Sequence, residues 1–491
     1  MTAAPTPPER RVMTGLERFG HVIGGETTGS ADGATMTSVD PTTRTAWAEV
    51  ALGAAVDVDR AVASARKAFD EGPWPRMTQA ERSRILHAFA DVLLAHADEL
   101  GLLDTRDMGR PLTATRDNDV VRGAANFRFF ADDARLAADA SFPGHPGHHI
   151  YTRHEPAGVV AAVSPWNFPL MQATWKIAPA LAYGNTVVLK PAEQSPASAT
   201  RLAELALEAG LPPGVLNVVH GLGPAGAGEA LVSHRGVDLI TFTGETRTGE
   251  AIMRSAAEGV RAVSFELGGK GASVVFDDAD IDRAVAVAAD SAFSNAGQIC
   301  LAGSRVLVHR DVHDRVVAAL VKQAERLRLG DPREPGTDIG PLSSEEHHAK
   351  VTGHLRRAAE EGAVLLTGGP RDGWWVAPTV VVDAAPDAAI CREEVFGPVV
   401  TVHPFDTEEE AVRIANATPY GLSAMVFTSR LARAHRVAGR LRAGNVWVNC
   451  FWVRDLRSPF GGFGRSGIGR EGGGHSREFF TEAKTVVMDV G

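Results

Sequence analysis

One stretch of the sequence has residue types and spacing suited to nucleophilic chemistry: Phe293-Ser294-Asn295-Ala296-Gly297-Gln298-Ile299-Cys300, a polar, glycine-containing approach to a single cysteine. A free thiol ionises near pH ~8.5, so only a small fraction is thiolate at neutrality, but that fraction is a strong nucleophile. Alone, such a cysteine reads equally as a small buried hydrophobe. Two further segments give it company. Phe265-Glu266-Leu267-Gly268-Gly269-Lys270 puts an acid at the end of an apolar run and before a glycine pair, and Ser164-Pro165-Trp166-Asn167-Phe168-Pro169 is a rigid turn carrying an amide. A thiol, an acid able to activate water and an amide able to donate to a developing oxyanion are the parts of an acyl-transfer site.

At these residues the sequence resembles the aldehyde dehydrogenase superfamily, with its glutamine-x-cysteine, glutamate-leucine-glycine-glycine-lysine and proline-tryptophan-asparagine-phenylalanine-proline signatures. The match runs in order from about the third helix to the C-terminus. The resemblance implies that Cys300 attacks an aldehyde carbon and that the Asn167 side chain and the Cys300 backbone N–H hold the oxyanion. Hydride then passes to a nicotinamide, and Glu266 activates the water that releases the acid. Acyl transfer to coenzyme A or phosphate needs no such base, so Glu266 implies a free carboxylic acid as product. A catalytically silent protein on the same fold is expected to lack one of Cys300, Glu266 or Asn167, and all three are present.

The resemblance also assigns a coenzyme site. Gly221-Leu222-Gly223 follows a strand but lacks the third glycine of the common dinucleotide fingerprint. Gly244-Glu245-Thr246-Arg247-Thr248-Gly249 is similar to the family's modified turn at the head of the helix facing the pyrophosphate. Glu245 stands where serine is common, and a carboxylate there should point away from the pyrophosphate or meet a cation such as Arg247. Lys190 and Glu193 match the positions that hold the adenosine ribose. An acid at 193 accepts from a 2′-hydroxyl and repels a 2′-phosphate, which favours NAD over NADP. Glu394 and Phe396 match the nicotinamide-ribose positions, and Trp166 lies beside the phosphates. With Gly223, Gly244, Thr246 and Gly249 these form the expected coenzyme set. No metal is expected, because Cys300, Cys391 and Cys450 are far apart and His145, His148 and His149 lack an acidic or cysteine partner at ligand spacing.

The substrate wall is read from Asn449-Cys450-Phe451-Trp452-Val453-Arg454-Asp455-Leu456-Arg457. Most aldehyde dehydrogenases are apolar or aromatic where Arg454 stands, and a buried arginine calls for an anion, ideally a carboxylate met by both guanidinium arms. Arg122 lies on a helix that lines the entrance in this fold. Together they resemble the group that oxidises ring-cleavage semialdehydes such as 2-hydroxymuconate and 2-aminomuconate semialdehyde. Three alternatives stand beside that reading: Arg454 in an ion pair with Asp455 or structure beside Glu266, a betaine-type substrate, and a neutral aromatic aldehyde resting on Trp452. Lys176 reads either as part of the polar network or as a solvated helix surface.

These residues need a scaffold. A chain of 491 residues is too long for one core. The net charge of -10 argues against nucleic acid or an anionic membrane as main partner. The unpaired cysteines suit a reducing cytoplasm, and the N-terminus lacks a signal-peptide core. Amphipathic spacing predicts helices from about Asp57 to Phe69, from Gln79 towards Leu103 and near Asp119 to Ala138. Apolar runs at Val159 to Val163, Thr186 to Leu189, Val215 to Val219 and Leu239 to Phe242 alternate with helices, which predicts a parallel sheet. A second alternating segment begins after Gly269. The expected fold is α/β and aldehyde dehydrogenase-like: a flexible tail over 1–18, a Rossmann-type NAD domain over 19–140 and 158–267, a catalytic domain over 268–470, and a small β extension over 141–157 and 478–491. The last strand, Lys484 to Val490, has no local hairpin partner and is expected to pair across the interface of a homodimer or homotetramer.

Overall fold

The computed structural model describes residues 15–491. Most of the tail expected over 1–18 lies outside the described residues, but its end is structured: Glu17–Phe19 is a strand parallel to Thr45–Ala51. Glu17 binds Arg106 at 2.5 Å, and the Phe19 ring meets Trp47 edge-on at 5.7 Å. Those contacts, invisible in local composition, place the end of the expected tail in the fold.

Eight strands form the first sheet. Its five central members run parallel in the spatial order Ala262–Glu266, Leu239–Thr243, Val159–Val163, Thr186–Lys190, Leu216–Val218. Val160, Ala161, Val187, Val188 and Ile240 are fully buried, as expected of strands covered by helices on both faces. The strand order reverses between Val159–Val163 and Leu239–Thr243, and crevices at such a switch point are where open α/β sheets bind ligands.

The chain then crosses at Leu267–Gly271 into a seven-stranded sheet, parallel except for its Val364–Pro370 edge. Two glycines make the crossing possible. A Cβ on Gly268 would lie 2.3 Å from the Glu394 carboxylate, and one on Gly269 would lie 2.4 Å from the Cys300 carbonyl oxygen. The Gly467–Ile468 strand returns to the first sheet, antiparallel to Ala262–Glu266.

Two other expectations change. The helix foreseen from Gln79 towards Leu103 is two helices, Gln79–Ala95 and Ala97–Met108, broken at His96, whose Nδ1 lies 2.8 Å from Glu99. The final strand is Thr481–Asp489 and does have a partner within the chain: it runs antiparallel to His148–Pro156 over nine residue pairs. Sequence distance hid that pairing. Ser141–Phe142 borders the other side of His148–Pro156, so the Thr481–Asp489 strand forms a sheet edge with Val487 and Met488 exposed. No helix among the described residues is long and apolar enough to cross a membrane.

Candidate active site

Cys300 follows the helix Ile281–Phe293 through a turn in which Asn295, Ala296 and Gly297 all have left-handed φ, at 53°, 52° and 69°. For a non-glycine residue that conformation costs about 1–2 kcal/mol, so the loop needs ties. Asn295 Nδ2 donates to the carbonyl oxygens of Asn167 (3.0 Å) and Gln298 (3.3 Å), Gln298 Nε2 donates to the Asn295 carbonyl (3.0 Å), and the Ser343 N–H donates to Gln298 Oε1 (3.1 Å). A Cβ on Gly297 would fall 2.0 Å from the Gly397 carbonyl oxygen. The Asn167 side chain joins the same network, donating to the Gln298 carbonyl at 2.9 Å. Its second amide hydrogen has no partner among the described residues.

Cys300 packs against an apolar cluster of Phe168, Ile299, Leu301, Leu422 and Phe460. Desolvation, reinforced by the Glu394 and Glu266 carboxylates, pushes its thiol up to about 12. It therefore rests protonated. Glu266 is buried, and neither of its carboxyl oxygens has a hydrogen-bond partner among the described residues. Desolvation, then repulsion by Glu471, raises its pKa well above the carboxylate range, against the pull of Lys176, Arg454 and Arg470.

Lys176 is no solvated helix residue. It is 1% exposed, and its Nζ lies 3.4 Å from Glu471 Oε1 and 3.1 Å from Thr241 Oγ1. Trp175 Nε1 donates to the other Glu471 oxygen. Sequence reading missed Glu471, which is 295 residues from Lys176 and lies in a glycine-rich segment with no periodic signal.

The Arg454 guanidinium is sandwiched between the rings of Trp175 and Phe460, at 4.0 and 3.9 Å from their centroids. Its Nε and Nη2 are buried with no hydrogen-bond partner among the described residues. Desolvation, then the like charge of Arg122, pushes its pKa down to about 9, while Glu471, Glu266 and Cys300 act in the opposite sense. The ion pair with Asp455 does not form, because Asp455 is taken by Arg457 at 2.6 Å on the surface. Arg122 donates from Nε to Asn126 Oδ1 at 3.2 Å, and Asn126 in turn donates to Thr174 on the helix Pro169–Ala182. Trp452, 40% exposed with φ 65°, lies 5.8 Å from Phe168 at the rim.

The other candidates line the carboxyl ends of the first sheet. Lys190 Nζ lies 3.6 Å from Glu193 and donates to the Pro191 carbonyl at 3.0 Å. Gly244 and Gly249 are demanded by packing: a Cβ would lie 2.5 Å from the Phe242 ring and 2.8 Å from Leu267. A Cβ on Gly223 would meet nothing within 4 Å, so the protein's own packing does not require that glycine. Thr246 Oγ1 donates to the Arg465 carbonyl at 3.3 Å. Glu245 meets Arg247 at 3.2 Å and, unforeseen, Lys350 at 3.7 Å. Glu394 accepts from the Gly269 N–H at 2.8 Å, and desolvation pushes its carboxyl up to about 7.

Phe396 has φ 57°, and its carbonyl accepts from His347 Nε2 at 2.7 Å. The rings of Trp166, His347 and Phe396 lie 4.9, 5.4 and 5.8 Å apart pairwise. Burial pushes His347 down to about 4, so it is a neutral donor at ordinary pH. A crevice at a strand-order reversal, headed by a helix N-terminus and flanked by Lys190, Glu193 and Glu394, fits a dinucleotide.

The aldehyde dehydrogenase family profile matches residues 28–486. The chain belongs to the aldehyde dehydrogenase family. The 2-hydroxymuconic semialdehyde dehydrogenase of Pseudomonas sp. (strain CF600) is 48% identical over 487 residues, covering 97% of this chain and 100% of the relative. The 2-aminomuconic 6-semialdehyde dehydrogenase of Pseudomonas sp. is 46% identical over 448 residues, covering 88% and 90%. Among solved structures, an NAD+ complex of an aldehyde dehydrogenase from Bacillus cereus is 42% identical, with a TM-score of 0.95 and 97% of each chain covered.

In this aldehyde dehydrogenase the structure draws Cys300, Asn167, Glu266 and Arg454 around one apolar cluster, with Arg122 close enough to repel Arg454. It leaves Arg457 outside. Beyond the sequence-predicted set it adds His347, Lys350 and Glu471. His347 and Lys350 carry the only available sequence signal: both follow Glu345 and Glu346 on the helix Glu345–Glu360, one turn apart and therefore on one face.

Proposed function

We propose that this enzyme uses NAD to oxidise an aldehyde bearing a carboxylate at its far end, a semialdehyde of the 2-hydroxymuconate kind from aromatic ring cleavage, to a free acid. The observation that carries the reading is Arg454. A guanidinium held between two aromatic rings with two buried, unpartnered nitrogens is costly without a ligand and well suited to an anionic one. The names of the muconic semialdehyde dehydrogenases at 46–48% identity point the same way.

In this reading Arg454 and Arg122 hold the carboxylate while the aldehyde reaches Cys300, with Trp452 at the rim. Glu266 takes the thiol proton, Sγ bonds to the aldehyde carbon, and the oxyanion is met by the free Asn167 amide hydrogen and the Cys300 N–H. When bound, NAD supplies the acceptor for the hydride that leaves this carbon, and the product of that loss is a thioester on Cys300. Glu266 passes the thiol proton to solvent and, ionised again, takes a proton from water, whose oxygen adds to the thioester carbonyl. Collapse breaks the C–S bond, and the departing thiolate takes that proton back from Glu266 as the acid is released. Trp166, Lys190, Glu193, Gly223, Gly244, Thr246, Gly249, Glu394 and Phe396 line the coenzyme site. Lys190 and Glu193 hold the adenosine ribose, and Glu394 and Phe396 the nicotinamide ribose.

We assign the coenzyme domain to 19–140 and 158–267, catalysis to 268–470, and subunit pairing in a homodimer or homotetramer to 141–157 and 478–491, where Thr481–Asp489 offers an open edge. Three free cysteines suit the cytoplasm.

The test compares NAD reduction with 2-hydroxymuconate semialdehyde, benzaldehyde and betaine aldehyde for the wild type and Arg454→Ala. Preference for the semialdehyde, lost in the variant, supports the reading. Equal rates on neutral aldehydes, unmoved by the substitution, would remove it.

A further inference from the structure

Glu245 occupies the position before the helix Thr246–Glu258, with extended backbone (φ -71°, ψ 142°). A short acid, Asp, at that position turns back to accept from the N–H groups of the first helical turn, whereas Glu, one methylene longer, is not among the preferred caps. Here it makes no such bond. Its oxygens go instead to Arg247 Nη2 at 3.2 Å and to Lys350 Nζ at 3.7 Å. Lys350 also acts on a second acid: its ammonium pulls the Glu394 carboxyl down while Glu245 pushes it up. One cation thus serves two carboxylates, beside helix N–H groups that the Glu245 side chain does not cap. On the coenzyme reading above, on which this inference rests, the diphosphate comes to that helix terminus. A doubly charged group therefore arrives next to a carboxylate already holding the nearby ammonium.

We propose that Glu245 weakens coenzyme binding by holding Lys350 in competition with the diphosphate. Glu245 is a positioning residue in this account: it acts through Lys350 rather than by touching the reacting atoms. Whenever the dinucleotide binds, Lys350 either leaves Glu245 or leaves the diphosphate without its charge. Both cost affinity, for the oxidised and the reduced coenzyme alike. The two side chains are 49% and 41% exposed, so the effect is that of a solvent-screened pair, up to about fivefold in Kd.

Equilibrium titration of the full-length protein with NADH, followed by nicotinamide fluorescence, tests this without turnover. The set is wild type, Glu245→Gln, Lys350→Ala and the double variant. The expected result is that Glu245→Gln binds NADH about three- to fivefold more tightly, that Lys350→Ala binds more weakly, and that the gain from Glu245→Gln largely vanishes in the Lys350→Ala background. An unchanged or weaker Kd for Glu245→Gln overturns the proposal. A gain that persists in full without Lys350 also overturns it, because direct repulsion would then suffice. Failure of the wild type to bind NADH would instead remove the coenzyme reading and this inference with it, a result plainly different from a silent Glu245→Gln.

Discussion

The loop that presents Cys300 and the wall that carries Arg454 border the same apolar cluster, yet they satisfy their polar groups in opposite ways. Around the thiol, the side-chain N–H groups of Asn295, Gln298 and Asn167 donate to neighbouring carbonyls and tie down three consecutive left-handed residues, with Asn295 Oδ1 alone of this loop's amide groups buried and unpartnered among the described residues. Across the cluster, Arg454 Nε and Nη2 and both Glu266 oxygens have no partner. Satisfied buried groups fix geometry, and unsatisfied ones carry a desolvation cost that a ligand can relieve. The contrast separates the part of the site that positions atoms from the part that waits for them.

The most severe way to break the contrast is at the thiol. Cys300→Ala should abolish NAD reduction, a loss of at least about 10⁴-fold, while NADH titration still shows binding. Glu266→Gln should lower steady-state turnover by about 10²–10⁴-fold. If any thioester forms in that variant, rapid mixing should show a burst of NADH followed by slow release. Because the Glu266 carboxyl is raised and only its ionised form accepts a proton, wild-type activity should climb with pH through a limb lying above the ordinary carboxylate range. A pH–rate profile that is flat from pH 5 to 8 would contradict that assignment.

Arg454→Met sharpens the other side. It should cost about 10²–10³-fold in kcat/KM for a carboxylate-bearing aldehyde, the scale of losing one partner of a buried charge pair, and less than about threefold for benzaldehyde. Because the buried guanidinium nitrogens Nε and Nη2 have no hydrogen-bond partner within the protein's described residues, the same variant should melt no lower than wild type, as read by calorimetry. A clear drop in Tm would mean that Arg454 is structural. The smallest expected effect is at His347, where His347→Phe leaves the Phe396 carbonyl unpaired. It should raise the KM for NAD by about tenfold, from roughly 1–2 kcal/mol of lost hydrogen bonding, with a smaller change in kcat.

The motif-bearing segments were readable because each concentrates its chemistry within six or eight residues. Glu266-Leu267-Gly268-Gly269-Lys270 is explained by the two close approaches at its glycines, and Gly244 and Gly249 by packing against Phe242 and Leu267. The parallel sheet is equally readable, since its strands are mostly apolar runs that alternate with helices. What escaped depends on long-range partners. Glu471 has meaning only beside Lys176, and Lys350 only beside Glu245. The pairing of Thr481–Asp489 with His148–Pro156 spans most of the chain, and nothing local in either strand announces it. Arg454 is legible by its type, but its partner is not: Asp455, the neighbour in sequence, is held by Arg457.

The Lys176–Glu471 contact has a consequence in the time domain of synthesis. Chains emerge from the ribosome at about 5–20 residues per second, so the 295 residues between these partners separate their appearance by roughly 15–60 s. Throughout that interval the segment Pro169–Ala182 has been made without the acid that its lysine meets in the fold, and Ala262–Glu266 lacks its Gly467–Ile468 neighbour. The first sheet is thus nearly the first part made and among the last completed. The nascent N-terminal half must wait, incompletely packed, for the end of its own chain.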